Sequence, residues 1–312
     1  MWQIAINAFV CFRHFRLVNQ YVRKKRRFPN VALPVATVDK FFWRKVFDRN
    51  PLFIRISDKI QAKQYARSKC PDLLTSRVLW EGDNFNDIPE NLLAGPGVLK
   101  SNHGSGHIVV LDGDPVDRTE LKAKTDRWLA RPYGQGNGEW GYRDIRRKIF
   151  IEELIQGDNG EQIVDFKTYV MNGKVQHIQC MYESNGPHPA TSRYDRDGNL
   201  FEAHVSPRYT YRHADPPSQY GRVVDMAERL GAGFDHMRCD FYVCGDDIYF
   251  CEMTIYAVAG FPDISGELEE AWKSNWDIRH SWFLTTPQQG WRGAYARWLK
   301  ARFDEDRAML TG

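Results

Sequence analysis

The stretch from residue 236 to 254 carries acidic residues at a spacing that a hairpin turns into chemistry. Residues 236–244 and 248–254 have the alternating pattern of strands. Gly245-Asp246-Asp247 reads as a three-residue loop between them. That loop sets Asp240 opposite Glu252 and Arg238 opposite Thr254, all four on one face. Cys239, Phe241 and Val243 then face Met253, Cys251 and Tyr249 on the apolar side. Like charges directly opposite one another in a sheet are unfavourable, so Asp240 and Glu252 require a neutralising partner. Two answers fit these residue types: a divalent cation such as Mg²⁺, which takes oxygen ligands, or a structural cluster closed by Arg238.

A second chemical stretch is Gly97 to His107, with Lys100 at the end of an apolar run and Gly104 and Gly106 in the turn that follows. A lysine at a strand end reaches a phosphate as a point charge. Glycines let backbone N–H groups turn inward around phosphate oxygens. The segment has neither the Walker form nor a G-x-G-x-x-G pattern, and an ordinary hairpin turn with a chance lysine fits it too. His103 and His107 are four apart, but the glycines between them break the helix that a zinc pair would need.

The elements around these stretches are short. Thr37 is placed as the cap of a helix through Phe47, ended by Asn50-Pro51. Ser57 or Asp58 caps another, Lys59 to Lys69, before Pro71. Strands are expected at 78–80, 98–100, 107–111, 148–154 and 165–171, the last turning at Asn172-Gly173 into 174–181. Helices are expected at 119–129, 219–230 and 291–309, while 183–217 reads as a long polar loop with little regular structure. Arg193, Arg196, Arg208 and Arg212 in that loop suit either a clamp on an anionic group or a solvated surface. Strands with interspersed helices give an α+β fold class.

Composition agrees with a folded protein of one large domain or two intimate ones: 312 residues, 42% hydrophobic and 27% charged, with a net charge of +3. That charge gives no general nucleic-acid signal. Residues 15–27 read as a helix ending in Arg23-Lys24-Lys25-Arg26-Arg27, compatible with a solvated face, an anionic membrane surface or a polyanion. The basic residues follow rather than precede the apolar start, unlike a secretory signal. The six cysteines contain no C-x-x-C pair and read as reduced thiols of a cytoplasmic protein.

Taken in order, these segments resemble the ATP-grasp superfamily, and within it the TupA-like branch named for teichuronopeptide biosynthesis. The resemblance rests on Ser57-Asp58-Lys59, Val98 to Gly106, Ile151 to Leu154, Asp165 to Lys174, Arg238-Cys239-Asp240-Phe241-Tyr242 and Phe250-Cys251-Glu252-Met253-Thr254. It spans roughly residues 55 to 262. It implies two α+β lobes gripping ATP, with a helical N-terminal extension in place of a full Rossmann-like domain. The lobes would run 55–155 and 156–285, flanked by a helical region at 1–54 and a C-terminal helix at 286–312.

The resemblance also implies roles. Lys59 and Lys100 would hold ATP phosphates, and His103, Gly104, Ser105 and Gly106 would form the mobile loop over them. Glu152, Glu153 and Leu154 would be the hinge at the adenine, and Asp165 would meet the ribose. Asp240, Glu252 and Thr254 would hold Mg²⁺, while Arg238 would steady the transferred phosphoryl group and Lys167 would face the same cleft. Many ATP-grasp ligases have Asn where this chain has Thr254.

The expected activity is that of an ADP-forming carboxylate–amine ligase working through an acyl phosphate in the cytoplasm. Its substrates would be a small carboxylate, such as a uronic or amino acid, and an amine, with a glycan or lipid-linked glycan as a further acceptor class. No nucleic-acid partner is expected. The alternative is a phosphotransferase acting on a hydroxyl.

Overall fold

The computed structural model describes residues 2–157, 162–183, 186–203, 207–262 and 264–311. The described residues form eleven strands. They are β1 (Leu74–Thr75), β2 (Val78–Gly82), β3 (Pro96–Ser101), β4 (Ile108–Asp112), β5 (Ile149–Glu152), β6 (Val164–Met171), β7 (Lys174–Tyr182), β8 (Ala190–Asp195), β9 (Thr210–Tyr211), β10 (His236–Cys244) and β11 (Asp247–Thr254). They form a seven-stranded sheet, ordered β1-β11-β10-β6-β7-β8-β9, and a four-stranded one, ordered β2-β5-β3-β4. Both are antiparallel except where β1 and β9 run parallel to β11 and β8. Asn172 and Gly173 both take positive φ, 49° and 76°, as the tight hairpin between β6 and β7 requires.

Each sheet has its own core. Leu99, Leu111, Ile149 and Ile151 of the small sheet pack on Leu121 and Trp128 of helix Arg118–Ala130. The large-sheet core takes in helices from both ends of the chain: Phe41 and Trp43 of Thr37–Val46, and Tyr295 and Leu299 of Gly290–Thr311. Buried Arg44 fastens the first of these to the base of β10, with Nη2 on Asp235 Oδ1 at 2.5 Å. Removal of one partner from such a buried pair leaves an uncompensated charge, so this bond fixes where β10 starts.

Three expectations need correction. The region 183–217 contains β8 and β9, so it is partly sheet, while residues 184, 185 and 204–206 lie outside those described. The four central residues of Ala190–Asp195 are buried in a continuous run, yet three of them, Thr191, Ser192 and Arg193, are polar, so the strand gives no apolar pattern. Thr37 is the first residue of its helix, with Ala36 as cap. The β10–β11 turn is tighter than a three-residue loop, because Cys244 pairs with Asp247. A bulge after Asp240 absorbs the difference, so Arg238 still pairs with Thr254 and Asp240 with Glu252. Ile248 and Phe250 therefore fill the core face. Cys251, the extra residue, leaves that face instead of lining it, as a bulge permits.

Candidate functional site

The bulged hairpin is one wall of the site. Register carries a polar row across five strands: Glu252, Asp240, Lys167, Gln179 and Arg193. Thr254, Arg238 and Tyr169 form the next row. Side chains at paired positions share a face, so one side of the large sheet is a charged ledge. Arg238 grips Asp240 with two bonds, Nε to Oδ1 at 2.7 Å and Nη2 to Oδ2 at 2.6 Å, and reaches Glu252 Oε1 at 3.2 Å. Thr254 Oγ1 donates to the same Glu252 oxygen at 3.2 Å. Lys167 bonds Asp165 at 2.7 Å and stands 3.7 Å from Asp240.

The other wall is the small sheet, and helix Lys59–Lys69 lies between the two. Asp58 caps this helix by accepting from the N–H groups of Ile60 and Gln61. Its first residue, Lys59, sends Nζ to Glu252 Oε2 at 2.8 Å. One turn later Lys63 sends Nζ to Glu152 Oε2 of β5 at 2.7 Å, and Lys100 of β3 meets Glu152 Oε1 at 2.5 Å. One helix thus hands a lysine to a carboxylate on each sheet.

These contacts set the protonation states. Burial acts to raise the Glu252 carboxyl, but Lys59 and Arg238 outweigh it and hold the group well below the usual carboxylate range. Glu152 is lowered too: burial opposes ionisation, and Lys100 and Lys63 overcome it. Asp165 moves up, through burial first and the nearby Asp240 charge, despite Lys167. Lys63 moves down because burial outweighs Glu152.

The glycine turn has a locked root and an open tip. Asn102 is buried, its carbonyl accepting from Lys59 N–H at 2.8 Å and its Nδ2 donating to Asp58 Oδ2 and to the Arg146 carbonyl, each at 3.0 Å. His103 is fully buried, with ring nitrogens 3.1 Å from Asn102 Oδ1 and 2.9 Å from the Trp128 carbonyl. That packing sets His103 apart from the exposed Ser105 and Gly106, so it stands at the loop's anchor rather than in its tip. Gly104 is required by the ring of His107, since a Cβ there would lie 2.2 Å from Nδ1. His107 itself stacks on Trp128 at 5.1 Å.

The structure brings Lys59, Lys167, Arg238, Asp165, Asp240, Glu252 and Thr254 to one cleft, with Lys100 across it. The hinge residues look different from expectation. Glu152 turns its side chain between two lysines, and the Glu153 N–H already donates to the Arg77 carbonyl at 3.0 Å. Leu154 makes no backbone hydrogen bond among the described residues. Of the four arginines considered as a clamp, Arg193 stands in the cleft row. Arg196 pairs with Glu228 at 2.8 Å, Arg212 lies over Tyr182, and Arg208 over Tyr209. Sequence reasoning missed Lys63 and Asn102. The signal for Lys63 was its i, i+4 spacing from Lys59 on a capped helix.

The donors also suit a particular kind of cation. Among the described residues no group of three or more His, Cys, Asp or Glu side chains is arranged to hold a metal. Asp240 and Glu252 supply hard oxygens from opposed positions, too few to cage an ion by themselves. Mg²⁺ usually takes one or two carboxylates and completes its shell with waters and phosphate oxygens, which fits this pair.

Residues 39–272 match the family described as TupA-like ATPgrasp. The chain belongs to that family. The match takes in every site residue above and extends beyond both ends of the resemblance noted from motifs. Among solved structures, this ATP-grasp chain is similar to D-alanine–D-alanine ligase from Bacillus anthracis complexed with ATP, at 16% identity and TM-score 0.37, over 64% of this chain and 53% of that one. It is similar to D-alanine–D-alanine ligase from Helicobacter pylori at 13% identity and TM-score 0.43, over 77% and 66%. ATP-grasp ligase PsnB, complexed with a phosphomimetic variant of minimal precursor, Mg and ADP, matches at 13% identity and TM-score 0.39, over 82% and 62%. The chain thus spans between half and two-thirds of the length of these three structures. No curated protein sequence matches it.

Proposed function

We propose that this ATP-grasp chain is an ADP-forming ligase that activates a small carboxylate and joins it to an amine. The observation that carries the reading is Glu252, set between Lys59 and Arg238 at 2.8 and 3.2 Å, opposite Asp240 and across from Lys100. Five cationic side chains, Lys59, Lys63, Lys100, Lys167 and Arg238, share four carboxylates, Glu152, Asp165, Asp240 and Glu252. Phosphoryl transfer depends on positioning and on positive charge where negative charge builds up.

Asp240 and Glu252 would hold Mg²⁺, with Thr254 orienting Glu252. When bound, that ion would screen the phosphate oxygens and polarise them. Lys59 and Arg238, no longer needed by the carboxylates, would turn to the phosphates, and Lys100 would approach them from the small sheet. Ser105 and Gly106 would close over the phosphates and exclude water from an acyl phosphate. The backbone at Leu154 would meet the adenine, and Asp165 the ribose. Lys167 and the row leading to Arg193 would face the acid to be activated. A uronic or amino acid is the favoured carboxylate, with an amino acid or other amine as acceptor, and the cytoplasm as location.

The test is incubation with Mg·ATP, hydroxylamine and a panel of carboxylic acids. Hydroxamate formed together with ADP and free phosphate is the expected result. Phosphate retained on an organic product, without release of free phosphate, would replace the ligase reading with a phosphotransferase.

A further inference from the structure

The first acidic residue of the chain is Asp39, and seven basic residues precede it: Arg13, Arg16, Arg23, Lys24, Lys25, Arg26 and Arg27. They lie on or just after two helices, Trp2–Arg13 and Phe15–Lys25, broken at His14. The inner face of the pair is firmly docked. Ile6, Val10, Val18 and Tyr21 are buried in the large-sheet core. The Asn7 side-chain carbonyl accepts from the N–H groups of Val31 and Ala32, both at 2.9 Å, so the chain returns alongside the first helix. Arg27 and the Tyr21 hydroxyl both close on Asp39.

The outer face has no such account. Ile4, Phe12, Phe15 and Phe28 are 78%, 86%, 63% and 70% exposed. Single exposed apolar residues are ordinary, but these four fall within one short region, and Ile4, Ala8 and Phe12 follow the i, i+4 ridge of one helix. Arg13, Arg16, Arg23 and Arg26 are exposed beside them, and none forms an ion pair among the described residues. Some surface cations elsewhere do have carboxylate partners: Arg77 pairs with Glu153, Lys148 with Glu81 and Arg229 with Asp72. The helix pair therefore combines bare aromatic and aliphatic side chains with unmatched positive charge and no carboxylate.

We propose that this face docks on the surface of an anionic lipid bilayer. An amphipathic helix lying in the interface buries its apolar residues at the boundary between headgroups and acyl chains, while its cations meet anionic headgroups. Phe12, Phe15 and Ile4 supply the first contact and the four arginines the second. A polyanion such as RNA would satisfy the arginines but offers no hydrocarbon layer for Ile4 and Ala8. No helix among the described residues is long and apolar enough to cross a membrane, so the contact is peripheral. It leaves the cleft residues untouched and stands independently of the ligase reading.

The test is co-sedimentation of the full chain with phosphatidylcholine vesicles, with and without phosphatidylglycerol. The expected result is binding only to the anionic vesicles, weakened by high salt. Phe12→Ser/Phe15→Ser and Arg13→Gln/Arg16→Gln are each expected to lower the bound fraction by roughly tenfold at low ionic strength, with ATP turnover unchanged. If the serine variant loses its fold by circular dichroism, the glutamine variant carries the test. Wild-type protein that stays in the supernatant with both vesicle types, or folded variants that bind as wild type does, would overturn the proposal. So would retention on single-stranded RNA without vesicle binding.

Discussion

Two glutamates, one on each sheet, are held in the same way and exposed differently. Glu152 on β5 lies between Lys63 and Lys100, and Glu252 on β11 lies between Lys59 and Arg238. The helix that begins at Lys59 supplies one cation to each. Yet the Glu152 side chain is 6% exposed and that of Glu252 27%. A buried carboxylate with two cations has nowhere to exchange them, so Glu152 acts as a strut between the helix and the small sheet. A carboxylate at the mouth of a cleft can trade its cations for others. The same charge pattern thus gives a buried, fixed pairing in one place and a partly exposed one, which the proposed function makes exchangeable, in the other.

The comparison is sharpest at Glu252. Glu252→Gln should lower turnover by ~10³-fold, the scale on which loss of one electrostatic contact to a charged transition state is felt. Its thermal midpoint should fall as well, because Lys59 and Arg238 stabilise the ionised carboxyl in the fold, but by less than that of Glu152→Gln, since a side chain 27% exposed lets water replace part of the lost contact. Steady-state ADP release and a melting curve measure both. A variant that keeps its turnover would remove Glu252 from the chemistry. Asp240→Asn is a less clean probe: its side chain is 2% exposed and doubly bonded to Arg238, so stability should fall with activity.

Glu152→Gln should reverse the pattern. Lys63 is 4% exposed, and its proton is already disfavoured by burial, with Glu152 as the main charge opposing that. Removal of that charge should cost about 3 kcal/mol of stability, as expected for a broken buried ion pair, read from a urea titration. Turnover of the folded fraction should fall by no more than roughly tenfold, through Lys100 alone. If Glu152→Gln instead lost turnover as Glu252→Gln does, with unchanged stability, the two glutamates would be equivalent and the strut reading would fail.

The difference between the two glutamates also explains what was legible in the sequence. Asp240, Glu252, Arg238 and Thr254 could be placed because strand alternation and one hairpin suffice to bring them together. The turn was misjudged by one residue, and the bulge hid the error by restoring register before the functional pairs. Glu152 could not be placed in this way. Its partners Lys63 and Lys100 come from a helix and from another strand, and their meeting depends on how helix and sheet pack. His103 misled for a related reason: a histidine among glycines looks mobile in sequence, and only the Trp128 carbonyl and Asn102 beneath it show an anchor. The N-terminal helices were legible as basic, while their bare apolar ridge emerged only from packing.

The smallest effect concerns the glycine turn between β3 and β4. His107 stacks on Trp128 and accepts or donates one bond with Ser101 Oγ at 2.8 Å. Burial, and then the nearby His103 and Lys59, hold its pKa down to about 4 against an ordinary 6.5. The unfolded ring therefore binds a proton more readily than the folded one. By linkage, the contribution of His107 to stability is complete above pH 6.5 and declines as pH falls toward about 4. His107→Gln keeps a polar partner for Ser101 and removes the titration. Its thermal midpoint should consequently fall less steeply than that of the wild type over the same pH interval, by a few degrees at the acid end on the scale of ~1 kcal/mol. Parallel curves for the two proteins would mean that the ring is as accessible to protons in the fold as outside it, and that the root of the loop, like its tip, is open to water.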